Sequence, residues 1–306
     1  MKEKKDNKLI TRKEFLGTST SMLTLGFLGS KTFNKTGDKL PKITLGRTDL
    51  EVSRVCYGTG RSQEPALVKA VLDKGINIFD TARGYYNGQN EIMLGKALKG
   101  LRREVFLQSK IHLRINENGE ELRSPDGVKK IKKFMEDSLH ASLKALQTDY
   151  IDILMLHSAT SKKVLFHEAI MNFFDQAKAS GKIRACGFSV HNDHLDILAE
   201  SADNPFFDVV MMPYNHKGSY IHSVSGRYSE WDQLKLERLL KKLHEKKVGI
   251  IAMKTCSAGP FAFSDSEKPS YRAAIKWVLN QNFIDCAAVA MANFDQIEED
   301  LSLQIF

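Results

Sequence analysis

The sequence is poor in the residues that staple, ligate or interrupt a chain. Its 306 residues hold four cysteines, Cys56, Cys186, Cys256 and Cys286, spaced too widely for a CxxC redox or metal motif. Free buried thiols beside strands are their expected state. His191 with His194, and His216 with His222, invite a metal reading, but no carboxylate stands at a ligand spacing and no metal is expected. Only 7 prolines occur, so few segments are cut short. No apolar run reaches the roughly 20 residues of a membrane-spanning helix. A complete GxGxxG turn is also missing; YGTGRSQEP after the first predicted strand holds only a fragment, which argues against a doubly wound dinucleotide-binding sheet.

The formal net charge of +8 is concentrated at one end. Residues 1–40 hold nine Lys and Arg against Glu3, Asp6, Glu14 and Asp38, a net of +5, so the remaining residues carry only +3. A nucleic-acid surface on the body of the protein is therefore not expected. Within the leader, TRKEFLG from Thr11 resembles a twin-arginine export motif with Lys13 in place of the second arginine, and a charge-free stretch from Leu16 to Ser30 follows it. That stretch suits the h-region of a signal peptide better than a membrane span, although no clear A-x-A cleavage site follows. The expectation is an exported protein, periplasmic or held at a membrane through its leader, with a disordered cytoplasmic leader as the alternative.

From residue 41 to 306 the pattern becomes regular. Short apolar stretches predict strands near Val52–Tyr57, Ile76–Phe79, Val105–Gln108, Ile151–Leu156, Ile183–Phe188, Phe207–Met212, Gly249–Met253 and Cys286–Val289. Amphipathic stretches predict a helix after each, near Pro65–Asp73, Asn90–Leu98, Val128–Ala145, Val164–Ala179, His194–Ser201, Trp231–Lys246, Ser270–Asn280 and Asp295–Leu301. Eight such units in one domain predict an α/β fold of the (β/α)8 TIM-barrel type. Ile111–Gly127 and Asn215–Glu230 are long connections expected to overhang its mouth, with Ile115, Tyr220, Ile221 and Tyr228 as candidate lining.

Polar groups stand where predicted strands finish. FDTARGYYNGQNEIMLG supplies Asp80 and Tyr85, VFLQSK ends at Lys110, and YIDILMLH ends at His157. The C-terminal strand ends are where α/β barrels keep their chemistry. Together with GKIRACGFSVHN and MMPYN, these motifs resemble the aldo-keto reductases from about Ile43 to Leu301. The resemblance implies an NAD(P)H-dependent oxidoreductase that reduces aldehyde or ketone carbonyls, or oxidises the matching alcohols, with sugars among the candidates. It implies a catalytic set of Asp80, Tyr85, Lys110 and His157. A proton must reach the oxygen as hydride reaches the carbon, and Tyr85 is the expected donor; Lys110 is expected to lower its pKa, Asp80 to hold Lys110, and His157 to orient the carbonyl. Tyr86 takes a position that is usually glycine in the family.

The cofactor residues match less completely. Ser189 corresponds to the serine that contacts the nicotinamide carboxamide, and Tyr214 to the aromatic that stacks on the ring, but Val190 and Met211 replace the expected amides. The helix start near Asn293 and Lys254 after the seventh strand are expected phosphate contacts. Ala290 and Gln296 stand where many relatives place cations for the 2′-phosphate of NADP, which makes NAD as plausible as the family default, NADP. Some relatives carry a cysteine-rich iron–sulfur segment after the barrel; none is expected here. The competing expectation is a weakly catalytic nicotinamide-binding barrel acting as a redox-sensing or regulatory subunit.

Overall fold

The computed structural model describes residues 40–191, 194–222 and 226–301; the leader, with its export motif, lies outside them. Eight parallel strands close into a barrel in sequence order: β1 Val55–Gly58, β2 Ile78–Asp80, β3 Phe106–Ile111, β4 Ile151–Leu156, β5 Ile183–Ser189, β6 Val209–Pro213, β7 Gly249–Met253 and β8 Cys286–Val289. Each is followed by a principal helix: α1 Pro65–Asp73, α2 Gln89–Ala97, α3 Pro125–Leu146, α4 Glu168–Ala179, α5 His194–Asp203, α6 Gln233–Glu245, α7 Tyr271–Leu279 and α8 Phe294–Asp300. The predicted eightfold alternation is the observed one.

Strand and helix each bury the face their period presents. In α6, Leu236, Leu240 and Leu243 recur at helical spacing and face the barrel, while its lysines stay outside. Aliphatic side chains from the outer faces of the strands meet these helices in one core. A second, smaller core fills the barrel: Cys56, Ile78, Ile153, Met155, Met211 and Ile251 pack there with Leu45, Leu50 and Val52. The last three belong to a hairpin, Lys42–Thr44 paired with Glu51–Ser53, that closes the N-terminal end of the barrel. Its turn comes so close to β7 that a Cβ on Gly46 would stand 2.2 Å from the Gly249 nitrogen.

The boundaries differ from expectation in three places. Val52–Tyr57 is not one strand: the chain leaves the hairpin at Ser53 and enters the barrel at Val55, because Arg54 turns outward to donate to the carbonyls of Leu279 and Ile284, both at 2.8 Å. Val164–Ala179 is two helices, Lys162–Leu165 and α4, since the His167 side chain caps a new start by accepting from the Ala169 N–H. The connection Asn215–Glu230 contains an antiparallel pair, Ser219–Ile221 with Tyr228–Glu230. The four thiols are free, as expected, but Cys256 is only partly buried and faces the cleft described below.

Candidate active site

Strand register explains why polar groups converge at the C-terminal mouth of the barrel. Asp80, the last residue of β2, lies beside Gln108 of β3, and alternation along β3 turns Gln108 and Lys110 inward and Ser109 outward. Lys110 is 2% exposed and Asp80 4%, so neither charge is tolerable alone. They form an ion pair, and Lys110 Nζ also donates to the Thr81 carbonyl at 3.0 Å. Gln108 Nε2 donates to the same Asp80 oxygen at 2.6 Å.

Tyr85 reaches this pair because the chain beyond β2 keeps bonding to β3. Thr81 and Arg83 donate their N–H groups to the carbonyls of Gln108 and Lys110, at 2.9 and 3.1 Å. Arg83 then pairs with the buried Glu91 of α2, whose other oxygen accepts from Ser109 Oγ at 2.6 Å. The phenol ring ends with its centroid 5.1 Å from Lys110 Nζ and meets the His157 ring edge-on, at 5.7 Å between centroids. Tyr86 points to solvent in the left-handed region (φ 49°), followed by Asn87 and Gly88, also at positive φ. This turn, made without glycine at Tyr86, is what delivers the chain into α2.

Electrostatics settles the charge of each group. Burial works against the Lys110 ammonium, but Asp80 and then Tyr85 pull it back, leaving its pKa above the ordinary value. Burial also raises the Tyr85 phenol, and this exceeds the lowering by the charge and hydrogen bond of Lys110. The expected net lowering of Tyr85 is thus reversed, first by burial of the phenol and then by the Asp80 charge, which opposes that of Lys110. His157 is pushed down to about 2, first by burial and then by Lys110, His191 and His112. His191, at 6.1 Å from His157 between ring centroids, is pushed down to about 3 by burial, Lys254 and Lys110. Both imidazoles are neutral near pH 7 and act as hydrogen-bonding groups, not cations.

These side chains open into a cleft of about 1800 Å³. Asp80, Tyr85, Lys110, His157, Ser189 and Lys254 all line it, as do Ile115, Tyr220 and Ile221. Ser189 Oγ, nearly inaccessible, accepts from the Ser158 N–H at 3.0 Å. Lys254 ends β7 in a left-handed turn, and its pKa is lowered by burial and then by Arg61 and Lys110, so these cations repel one another in want of an anion. Asn293 caps α8 through its side chain, while its neighbours Ala292 and Gln296 line the cleft with Ala290.

Three expected residues stand outside the cleft lining: Asn293, at the cap of α8, and two tyrosines. Tyr214 is wholly buried behind the barrel wall, stacked on Trp277 at 5.5 Å with its hydroxyl donating to Glu237 at 2.9 Å. It is outside the cleft, since the strand it follows turns it toward the helices. Tyr228 is also outside, its hydroxyl donating to Glu230. Gln108 escaped the sequence reading, although its position two residues before Lys110 puts it on the same strand face. Arg61, at the end of a short 3-10 turn, and Arg114 and Arg227, in loops, line the cleft where no periodicity signals them. Among the described residues, no group of three or more His, Cys, Asp or Glu is arranged to hold a metal ion.

The aldo/keto reductase family model matches residues 43–272. The chain belongs to the aldo/keto reductase family. An uncharacterized oxidoreductase of Bacillus subtilis is 24% identical over 267 residues, 86% of this chain and 79% of that one. The NADH-specific methylglyoxal reductase of Escherichia coli is 32% identical over 195 residues, which span 58% of this chain and 59% of the enzyme. Among solved structures, an aldo-keto reductase of Bacillus halodurans in its holo form superposes with a TM-score of 0.68 at 22% identity, covering 87% of this chain and 90% of that one. One from Klebsiella pneumoniae, in complex with NADP and acetate, gives 0.62 at 21% identity, covering 86% and 89%. The family membership makes this chain an NAD(P)-dependent oxidoreductase.

Proposed function

We propose that the aldo/keto reductase reduces small aldehydes and ketones, 2-oxoaldehydes such as methylglyoxal among them, with Tyr85 as the proton donor. The observation that carries this is the buried Asp80–Lys110 pair beneath the Tyr85 ring with neutral His157 edge-on beside it. The cleft also suits a nicotinamide dinucleotide. Ser189 faces the barrel centre, Lys254 and Arg61 are cations without a compensating carboxylate between them, and the segment Ala290–Gln296 borders the same space. A bound reduced nicotinamide supplies hydride.

The protein's part is to place the carbonyl oxygen between Tyr85 and His157 and to neutralise the charge that grows there. Tyr85 enters the reaction protonated, which the burial of its phenol favours. As the proton leaves, the phenolate is stabilised by Lys110, which Asp80 and Gln108 hold in place. His157, neutral, donates an N–H to the carbonyl oxygen without competing as an acid. Tyr85→Phe should lower single-turnover reduction of methylglyoxal by roughly 10²–10⁴-fold while cofactor affinity holds. Equal rates in the two proteins would remove Tyr85 from this role.

For cofactor choice we infer that NADH binds about as well as NADPH. Gln296 spends its amide oxygen on the Ala292 N–H (2.7 Å), and Ala290 has no charge to offer a 2′-phosphate. One charge-assisted contact is worth about 1.5–3 kcal/mol. Gln296→Arg should therefore favour NADPH by about tenfold or more in fluorescence titrations, and no change would place the 2′-phosphate elsewhere. A regulatory role is the second reading; it draws on the likeness, 29% identity over 213 residues, to a putative voltage-gated potassium channel β subunit of Schizosaccharomyces pombe.

A further inference from the structure

After Ile111, the last residue of β3, the chain continues through His112, Leu113, Arg114 and Ile115. All four line the cleft, and exposure alternates along them: Leu113 and Ile115 are half-buried against the core, while His112 and Arg114 are exposed. The segment is anchored at the reacting end: His112 Nδ1 lies 3.2 Å from the His157 carbonyl oxygen, and its ring stands edge-on to that of His157 at 6.0 Å between centroids. Arg114 forms no ion pair or hydrogen bond with any described residue. Glu117 lines the same cleft without pairing to it, and Lys130, on α3, is already paired with Asp126 at 2.7 Å.

Position around the ring distinguishes Arg114 from the cations near the proposed cofactor. In a closed eight-stranded barrel in sequence order, β3 is diametrically opposite β7. Lys254 follows β7, and Ala290–Gln296 follow β8, so Arg114 faces the cleft from the side away from both. Nearer the carbonyl position the available charges are spent or absent: Lys110 is held by Asp80, and His157 and His191 are neutral.

We propose that Arg114, carried into place by the His112 anchor, forms an anion subsite, and that the preferred substrates are carbonyl compounds bearing a carboxylate or phosphate. This rests on the carbonyl-reducing reading of the same cleft. Guanidinium groups hold both anions in bidentate fashion, and a charge-assisted contact of this kind corresponds to about tenfold or more in affinity. The subsite adds selectivity to a centre that otherwise recognises only an oxygen.

The test uses matched pairs on the full chain: 4-carboxybenzaldehyde against methyl 4-formylbenzoate, and glyceraldehyde 3-phosphate against glyceraldehyde. Binding to the complex with oxidised cofactor is measured by calorimetry and turnover separately. At least one anion should bind about tenfold or more tighter than its neutral partner, and the pair that discriminates tells carboxylate from phosphate. Arg114→Gln should collapse that ratio toward one, and Arg114→Glu should invert it. Equal binding within both pairs would overturn the proposal, as would a loss in Arg114→Gln that falls on cofactor affinity instead of on the ratio. A protein that binds the anions selectively but reduces neither keeps the subsite and sinks carbonyl reduction.

Discussion

Lys110 shows how a buried charge is made tolerable and useful. Its ammonium gives one bond to Asp80 and one to the Thr81 carbonyl, and its field reaches the Tyr85 ring. The same field helps keep His157 and His191 neutral, which has a consequence for stability. Their pKa values fall to about 2 and about 3 when folded, against about 6.5 unfolded. Below pH ~6.5 the unfolded chain therefore binds more protons than the native one, and stability falls as pH drops toward the folded values. Each imidazole should contribute less than about 1.4 kcal/mol per pH unit, because the cleft admits water. Urea unfolding between pH 7 and 5 should show this slope, and the double variant His157→Gln, His191→Gln should flatten it. An unchanged slope would mean that the two rings protonate freely in the folded protein.

At the scale of elements, α8 carries an unusual carboxyl near its end. Burial, and then the Glu299 charge, raise Asp300 to about 7, and it sits where the helix dipole also disfavours a negative charge. A raised carboxyl pKa means that stability is lost as pH climbs from about 4 toward 7, so Asp300→Asn should stabilise the protein at pH 8 by roughly 1–3 kcal/mol. The gain should vanish near pH 4. Thermal unfolding at both values checks it, and a destabilised variant at pH 8 would mean that Asp300 is ionised and partnered. Elements were legible in the sequence wherever period and burial agree, as in α6 and the eight barrel strands. They were misread where one polar side chain redirects the backbone, as Arg54 does at the entry to β1 and His167 at the start of α4. The site shows the same divide. Asp80, Lys110 and His157 stand at strand ends that the apolar pattern locates, whereas the direction of Tyr214 depends on packing against Trp277, and Arg114 sits in a loop with no period to mark it.

For the whole molecule, the barrel has one open end. The mouth carries the cleft, while Leu45, Leu50 and Val52 of the N-terminal hairpin fill the other end, held close by the approach of Gly46 to Gly249. The family model begins at residue 43, so this hairpin is part of the matched region and not an addition to it. That closure sets where the polypeptide can be cut. A fragment beginning at Leu40 retains the hairpin and should unfold in one cooperative transition. A fragment beginning at Val55 loses three fully buried aliphatic side chains, each worth about 2–5 kcal/mol when truncated, which exceeds what most domains can spare. It should be insoluble or lack a cooperative melt, and a soluble, cooperatively folding Val55 fragment would show the hairpin to be dispensable. For expression work, then, tags, fusion partners and protease sites belong ahead of Leu40: residues 40–54 are the floor on which the eight barrel strands are laid.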